Sequence, residues 1–268
     1  MRLNTKWLAV LLALAVIPLS GCNFMSKMRA RDSLNKGVKA FTDQKFDAAA
    51  EFFERAVRLD PESEFSETAR MYQAIAYQSQ FVPGSTDPKS EEMANKSIET
   101  YKEVIDKAKD PANPNRNAML GIANLYYQLK KFPESKEWCN KILKADPQNA
   151  EAYYRIAVMD FDDSLERTGV QGELVELMTP EEQATTKANI EEGLTCLAKA
   201  LEIRPSYFDA MEYQNLLWRE KAKFEKDEKE KARLNREANL VAQKALALRL
   251  KAQEEEAKKP KKLGGLGK

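Results

Sequence analysis

One spacing recurs three times along the chain and limits the folds that the chain can adopt. In each copy a small residue is followed four positions later by a larger apolar residue, and a proline comes eight positions after that. The copies are Ala49, Phe53 and Pro61; Ser135, Cys139 and Pro147; and Gly193, Leu197 and Pro205. An interval of four places two side chains on one helix face, and proline ends a helix because it lacks an amide hydrogen. The pattern predicts helices, and no segment shows the alternation typical of strands.

In two of the copies, another small residue lies twelve positions before the first small residue of the copy. Gly37 precedes Ala49 in this way, and Ala123 precedes Ser135. Aromatic residues accompany them at Tyr126, Phe46 and Phe132. This arrangement resembles the tetratricopeptide repeat, a pair of antiparallel helices about 34 residues long. In that repeat the small residues let two helices approach closely, and the aromatic residues fill the space to the next pair.

The resemblance covers residues 32–218 and implies an all-α fold. We expect a tetratricopeptide-type solenoid of helical hairpins, with about four to five repeats and a long C-terminal helix. A proline- and glycine-containing loop over 81–90 interrupts the second repeat, and a segment with Gly169, Gly172 and Pro180 interrupts the fourth repeat. Asp160 stands where the family has an aromatic residue, so we expect the fourth repeat to be distorted.

The resemblance also implies where a partner binds. Such repeats form a concave groove that is lined mainly by the first helix of each unit and takes an extended peptide or a partner's helix. Asparagine and glutamine side chains suit this role because each offers both a donor and an acceptor to a peptide backbone. The candidate groove residues, called here the first-helix polar set, are Asn35, Lys39, Gln73, Gln78, Asn117, Asn124, Gln128, Arg155, Asp160, Gln214 and Asn215.

The amino terminus has the pattern of an export signal. Arg2 and Lys6 precede an apolar run over 7–17, which is too short to span a membrane and ends in small residues before Cys22. The stretch 19–22, Leu-Ser-Gly-Cys, resembles the lipobox of bacterial lipoproteins. The resemblance implies a signal peptide over 1–21, acylation of Cys22 and a short linker over 22–31. Several acyl chains would hold the protein stably on a membrane; an ordinary secretory signal is the alternative.

The carboxyl-terminal part is rich in helix formers. Residues 219–259 contain neither glycine nor proline, which predicts a long charged helix, and residues 260–268 are expected to form a disordered basic tail. An apolar stripe runs along the helix at Leu234, Ala238, Val241, Ala245, Leu248 and Ala252. Because alanine at every second position makes a weak seam, we favour a helix that caps the last repeat over one that dimerises as a coiled coil.

Composition removes much catalytic chemistry. The chain has no histidine and only three cysteines, which excludes histidine-based catalytic triads and histidine-ligated metal sites. Cys139 and Cys196 are expected to be small buried apolar residues, with a disulfide between neighbouring units as the alternative. No cofactor, metal or nucleic acid is expected. A carboxylate-based cell-wall or glycan-processing enzyme stays open, and it requires two acids about 5 to 10 Å apart in a cleft.

Together these features predict a non-catalytic, membrane-anchored scaffold for protein partners of the cell envelope. We expect it to face the periplasm of a diderm bacterium, on the outer membrane rather than the inner, and to be a monomer. Lipoproteins that assist outer-membrane barrel assembly or type IV pilus secretin assembly combine the same two features, and the similarity is architectural only. A structural spacer that dimerises through its C-terminal helix is a further alternative.

Overall fold

The computed structural model describes residues 5–108 and 114–258, and over 5–23 it describes the backbone alone. These residues form ten α-helices and one short 3-10 helix, and the described part of the chain contains no strand. This confirms the prediction of an all-α fold. The chain divides into two compact units, with the division between Ser135 and Lys136.

The first unit holds five helices and the start of a sixth. They are α1 (Thr5–Thr42), α2 (Phe46–Leu59), α3 (Ser66–Gln78), α4 (Pro88–Asp106), α5 (Arg116–Gln128) and the first turn of α6 (Phe132–Ala145). The second unit holds the rest of α6, followed by α7 (Ala150–Thr168), a 3-10 helix (Val175–Leu177), α8 (Pro180–Ile203), α9 (Phe208–Lys223) and α10 (Glu228–Lys258). In the first unit each helix from α1 to α4 packs against the next one along the chain.

Small residues are the places where first and second helices touch. A Cβ atom at Gly37 of α1 would lie 2.7 Å from the ring of Phe53 on α2, which is wholly buried. The hydroxyl of Ser97 on α4 donates a hydrogen bond to the Ala74 carbonyl of α3 at 2.8 Å. The predicted pair of Ala123 and Ser135 makes the same bond, at 2.7 Å. Backbone and ring approach so closely only because no larger side chain lies between them.

The helix ends follow the sequence signals. Pro61, Pro147 and Pro205 each come two residues after the last residue of a helix, as predicted. The interruption of the fourth repeat ends at α8. The side chain of its N-cap residue, Thr179, accepts a hydrogen bond from the backbone amide of Glu182, and the backbone amide of Thr179 donates one to the Glu182 carboxylate. This reciprocal capping box explains why the second helix of the repeat begins at Pro180.

Two predicted boundaries differ in the structure. Residues 22–31, expected to be a linker, belong to α1, where Ala30 is buried. The long helix expected over 219–259 is interrupted between Lys223 and Glu228. The reason is a capping residue rather than a glycine or proline: Asp227 accepts a hydrogen bond from the amide of Lys229 at 2.9 Å and so starts α10 as a new helix.

After this break α10 packs against α9, as the capping hypothesis requires. Its predicted stripe faces inward at Leu234, Ala238 and Ala245, which are all buried. Arg249 joins the two helices through the Glu212 carboxylate, at 2.7 Å. The stripe ends before Ala252, which is exposed.

Some predictions fall outside what the structure describes. These are the basic tail over 260–268, the first four residues of the signal peptide and the side chain of Cys22. Within the described part of the chain, no helix is both long enough and apolar enough to cross a membrane.

The contact between Gly37 and Phe53 gives a first prediction. Replacing Phe53 by alanine leaves a cavity at the α1–α2 contact, so we expect the free energy of unfolding to fall by roughly 3–5 kcal/mol. Chemical denaturation followed by circular dichroism measures this loss. Val82 is 60% exposed, so Val82→Ala should change stability by less than about 0.5 kcal/mol. An equal loss in both variants would contradict the close α1–α2 contact as a source of stability.

Candidate functional site

In the first unit the first helices touch one another at single contacts and carry much of the first-helix polar set. The rings of Phe41 on α1 and Tyr72 on α3 have centroids 5.9 Å apart. The side-chain amide of Asn115, the N-cap residue of α5, donates a hydrogen bond to the Glu67 carboxylate of α3 at 3.1 Å. The set members Asn35, Lys39 and Asn117 are exposed, whereas Asn124 and Gln128 are half-buried. These helices therefore offer a surface of amide groups and one cation.

The two α3 members of the set are placed differently. Gln73 lines an open cavity of about 780 Å³ whose walls include Glu54 of α2 and Lys96 of α4, so it faces the second helices. Gln78 is half-buried, and its side-chain oxygen accepts a hydrogen bond from the Tyr101 hydroxyl of α4 at 2.8 Å. This hydrogen bond from the Tyr101 hydroxyl fixes the orientation of the Gln78 side-chain amide.

In the second unit the set is half-buried except at one position. Arg155 of α7 forms an ion pair with Glu151 at 3.0 Å. On α9, Gln214 is half-buried, and the side-chain oxygen of Asn215 accepts a hydrogen bond from Arg219 at 2.9 Å. These contacts lie within single helices and orient the side chains along the helix surface.

Asp160 corrects the prediction, because it is wholly buried and not on an exposed binding face. Its carboxylate pairs with the ammonium of Lys136 from α6, and the same ammonium contacts Glu192 of α8 at 2.9 Å. A Cβ atom at Gly193 would lie 3.1 Å from the Cβ of Asp160, so α8 comes close enough to enclose it. Because an aspartate stands here in place of the family's aromatic residue, a charged cluster lies between α6, α7 and α8.

Burial controls the protonation of this cluster. Removal of water from around Asp160 raises the pKa of its carboxyl to about 7, against the opposing effect of the Lys136 charge and hydrogen bond. Burial lowers the pKa of Lys136, but attraction to the two carboxylates outweighs it and the net shift is upward. One carboxylate oxygen of Asp160 and the hydroxyl of Ser164 are buried without a hydrogen-bond partner in the structure.

Asp160 and Glu192 are also the acids that bear on the enzyme alternative. Both carboxylates contact the ammonium of Lys136, so the two acids lie close together. Asp160, however, is wholly buried. A catalytic carboxylate has to lie within hydrogen-bond reach of its substrate, and Asp160 in this conformation does not meet that condition. The described residues contain no group of three or more metal-ligating acids or cysteines.

The cluster predicts a pH dependence of stability. Because the carboxyl of Asp160 has a pKa of about 7 in the folded protein and about 3.9 in an unfolded chain, the folded state binds the proton more tightly. The free energy of unfolding should therefore fall as the pH rises from about 4 to about 7, by at most about 1.4 kcal/mol per pH unit. Urea denaturation across this range should show the fall in the wild type.

Asp160→Asn should remove this part of the pH dependence, since the amide does not titrate. Glu166→Gln, an exposed position on the same helix, is the matched control and should keep the wild-type slope. An unchanged slope in Asp160→Asn would show that another group titrates in this range.

A second charged group, centred on the buried Glu220, joins the inserted segment of the fourth repeat to α9. The carboxylate of Glu220 accepts a hydrogen bond from the Thr168 hydroxyl at 2.7 Å and pairs with Lys223 at 2.6 Å. The ammonium of Lys223 also donates to the Gly169 carbonyl at 2.6 Å. Sequence analysis missed this group because its members are about fifty positions apart, and an i, i+3 glutamate–lysine pair is ordinary on an exposed helix.

Glu220→Ala should leave the Lys223 ammonium, whose side chain is only 11% exposed, without its carboxylate. We expect a loss of roughly 3–5 kcal/mol in the free energy of unfolding, because the residual charge has lost its partner. Hydrogen exchange should show the largest gain over the segment 169–179, and Glu237→Ala, at an exposed position, should leave exchange unchanged there. Equal exchange in both variants would mean that the group does not hold this segment.

The two cysteines of the repeats are free thiols in the structure. Cys139 is buried and Cys196 is half-buried, so the prediction of buried apolar residues is confirmed for the first, and the disulfide alternative is not adopted. Burial raises the pKa of each thiol to about 12, which leaves both protonated and unreactive near neutral pH.

Comparison with known proteins places this geometry among the tetratricopeptide-repeat folds. Models of the tetratricopeptide repeat match residues 34–63 and 90–157. A crystal structure of MamA has a TM-score of 0.55 at 14% identity, with 85% of this chain and 96% of that chain aligned. MamA from Desulfovibrio magneticus RS-1, from residue 41 to its end, has a TM-score of 0.52 at 10% identity, with coverages of 87% and 98%. None of the curated proteins matches the sequence significantly.

The chain therefore contains tetratricopeptide repeats and has the fold of a tetratricopeptide solenoid. At these identities the likeness to MamA establishes the fold alone. Repeats of this class point to a scaffold for protein–protein interaction.

Proposed function

We propose that this protein is a membrane-anchored, non-catalytic scaffold of the cell envelope that binds a segment of a protein partner through its first helices. The observation that carries the proposal is the arrangement in the first unit. There α1 contacts α3 through Phe41 and Tyr72, and α3 contacts α5 through Glu67 and Asn115. The same helices expose Asn35, Lys39 and Asn117.

Amide side chains suit an extended partner because they satisfy both the amide hydrogens and the carbonyls of its backbone. Lys39 adds one positive charge, which favours a carboxylate on the partner. The side chains stand on helices whose opposite faces are packed at small residues, so the surface is held in place before a partner arrives. A surface that is already ordered loses less conformational entropy on binding.

The anchor in this proposal is Cys22. Its support is the sequence pattern of residues 2–22, with a basic start, an apolar run and a small-residue stretch directly before the cysteine. An acylated Cys22 places the repeats in the periplasm beside the membrane, on the outer membrane in the proposal. Asn23, rather than an aspartate, follows the cysteine, and this favours the outer membrane.

The test is crosslinking and capture from intact cells with a variant that changes the first helices only. Lys39→Glu combined with Asn117→Asp reverses one charge and adds another on α1 and α5. The matched control, Arg55→Glu combined with Asn95→Asp, makes the same change of charge at exposed positions on the second helices α2 and α4. We expect envelope proteins captured by the wild type to be lost at least about tenfold from the first-helix variant, as loss of one charged contact implies.

The control variant should capture these proteins as the wild type does. Capture that is lost in both variants, or in neither, would overturn the first-helix surface as the binding site. Cys22→Ser should remove the protein from the membrane fraction while leaving the fold intact, as circular dichroism of the purified protein would show. A Cys22→Ser protein that keeps its acyl chains by mass spectrometry would overturn the anchor.

A further inference from the structure

The start of α1 presents an unusual surface for a helix that is packed on its other side. Phe24, Met25 and Met28 are 64%, 50% and 55% exposed. Phe24 and Met28 are four positions apart and Met25 and Met28 three apart, so all three share one face of the helix. Exposed apolar side chains of this size in a contiguous group mark a surface that is covered in the working protein.

The helix is fixed in orientation, so this face is turned outward. Ser26 donates a hydrogen bond from its hydroxyl to the Leu59 carbonyl at the end of α2. Ala30 and Ser33 are buried on the same side. Since the buried residues follow one another at intervals of four and three, the apolar group stands on the opposite side and cannot turn inward without undocking the helix.

Three cations border the apolar group. Lys27 and Arg31 lie on one flank and Arg29 on the other, and residues 23–31 contain no acidic residue. Among the described residues, no ion pair joins any of the three to a carboxylate, whereas Lys36, one turn further along, pairs with Asp32 at 2.7 Å. The guanidinium of Arg31 lies 5.6 Å from the centroid of the Phe65 ring, a contact that leaves its charge without a carboxylate partner. An apolar stripe bordered by such cations is the pattern of a helix that lies in a membrane interface.

Position along the chain supports the same occupant. At about 1.5 Å per residue, Phe24 to Met28 begin about 3 Å and end about 9 Å from Cys22 along the helix axis. Interfacial helices bury their apolar side chains about 5–10 Å into the boundary between headgroups and acyl chains. An anchor at Cys22 therefore brings this face to the headgroups, where the cations meet anionic lipid.

We propose that the outward face of α1, with Phe24, Met25 and Met28 between Lys27, Arg29 and Arg31, docks on an anionic phospholipid surface. This inference rests on the proposed anchor at Cys22. The acyl chains supply attachment, and the docked face sets how the first unit is oriented on the membrane. One local feature opposes docking: Asp60, Glu62 and Glu64 line a cavity of about 780 Å³, and its wall also includes Phe24, Lys27, Met28 and Arg31.

The test uses the purified, acylated protein in vesicles of phosphatidylcholine alone and of phosphatidylcholine mixed with phosphatidylglycerol. Mass spectrometry of the amino-terminal peptide first establishes acylation. Proteinase K is then added, and the rate of cleavage within 23–31 is measured. We expect cleavage to be at least about tenfold slower on the anionic vesicles, since each juxtamembrane cation adds to the attraction, and high salt should abolish the difference.

Variants assign the protection to this face. Replacing Lys27, Arg29 and Arg31 by glutamine should remove the protection, and so should Phe24→Ser combined with Met28→Ser. The matched control replaces three exposed α10 cations, Lys229, Arg236 and Lys251, by glutamine and should keep it. Glu62→Gln combined with Glu64→Gln should increase protection, because these acids repel the same lipid.

Three outcomes overturn the proposal: equal cleavage on both kinds of vesicle, protection that the control variant also loses, or protection that appears only when an envelope protein is added. If Cys22 proves to be unacylated, the anchor of the proposed function fails, and flotation of the added protein with the two kinds of vesicle decides the docking separately. Flotation with neither kind overturns it, whereas flotation with anionic vesicles alone supports it.

Discussion

The close approach of helices at small residues is the constraint on which the rest of the structure depends. Gly37 admits the Phe53 ring, Gly193 brings α8 against Asp160, and Ser97 reaches the backbone of α3. Each contact brings two helix backbones close together and removes surface from water. Larger residues at these positions would separate the helices and change the packing of the aromatic residues around them.

The same small residues explain how much of the fold the sequence predicts. Intervals of four and twelve, closed by a proline, locate the helix pairs because steric fit and the lost amide hydrogen act locally. The break before α10 escaped prediction because α9 ends at Lys223 and Asp227 starts a new helix without any glycine or proline between them. A single aspartate in a charged run has the same appearance whether it caps a helix or faces solvent.

The candidate site is less predictable, because a side chain's environment depends on residues far away in sequence. Asn35 and Lys39 are exposed as expected, whereas Gln73 faces α2 and α4 because its helix is turned that way. The burial of Asp160 depends on Gly193, thirty-three positions later, and on Lys136. The unusual aspartate at an aromatic position marked the place, but its charge alone gave no indication of which neighbours would enclose it.

Stability is unevenly distributed along α10. Its contacts with α9 include the buried Leu234, Ala238 and Ala245 and the ion pair of Arg249 with Glu212, whereas all the residues over 251–258 are exposed. Segments with few buried contacts open locally at a smaller free-energy cost than unfolding of the whole fold, and the turns over 251–258 form such a segment. The last turns of α10 can therefore form new contacts on another surface at little energetic cost, while the part anchored by Leu234 stays on α9.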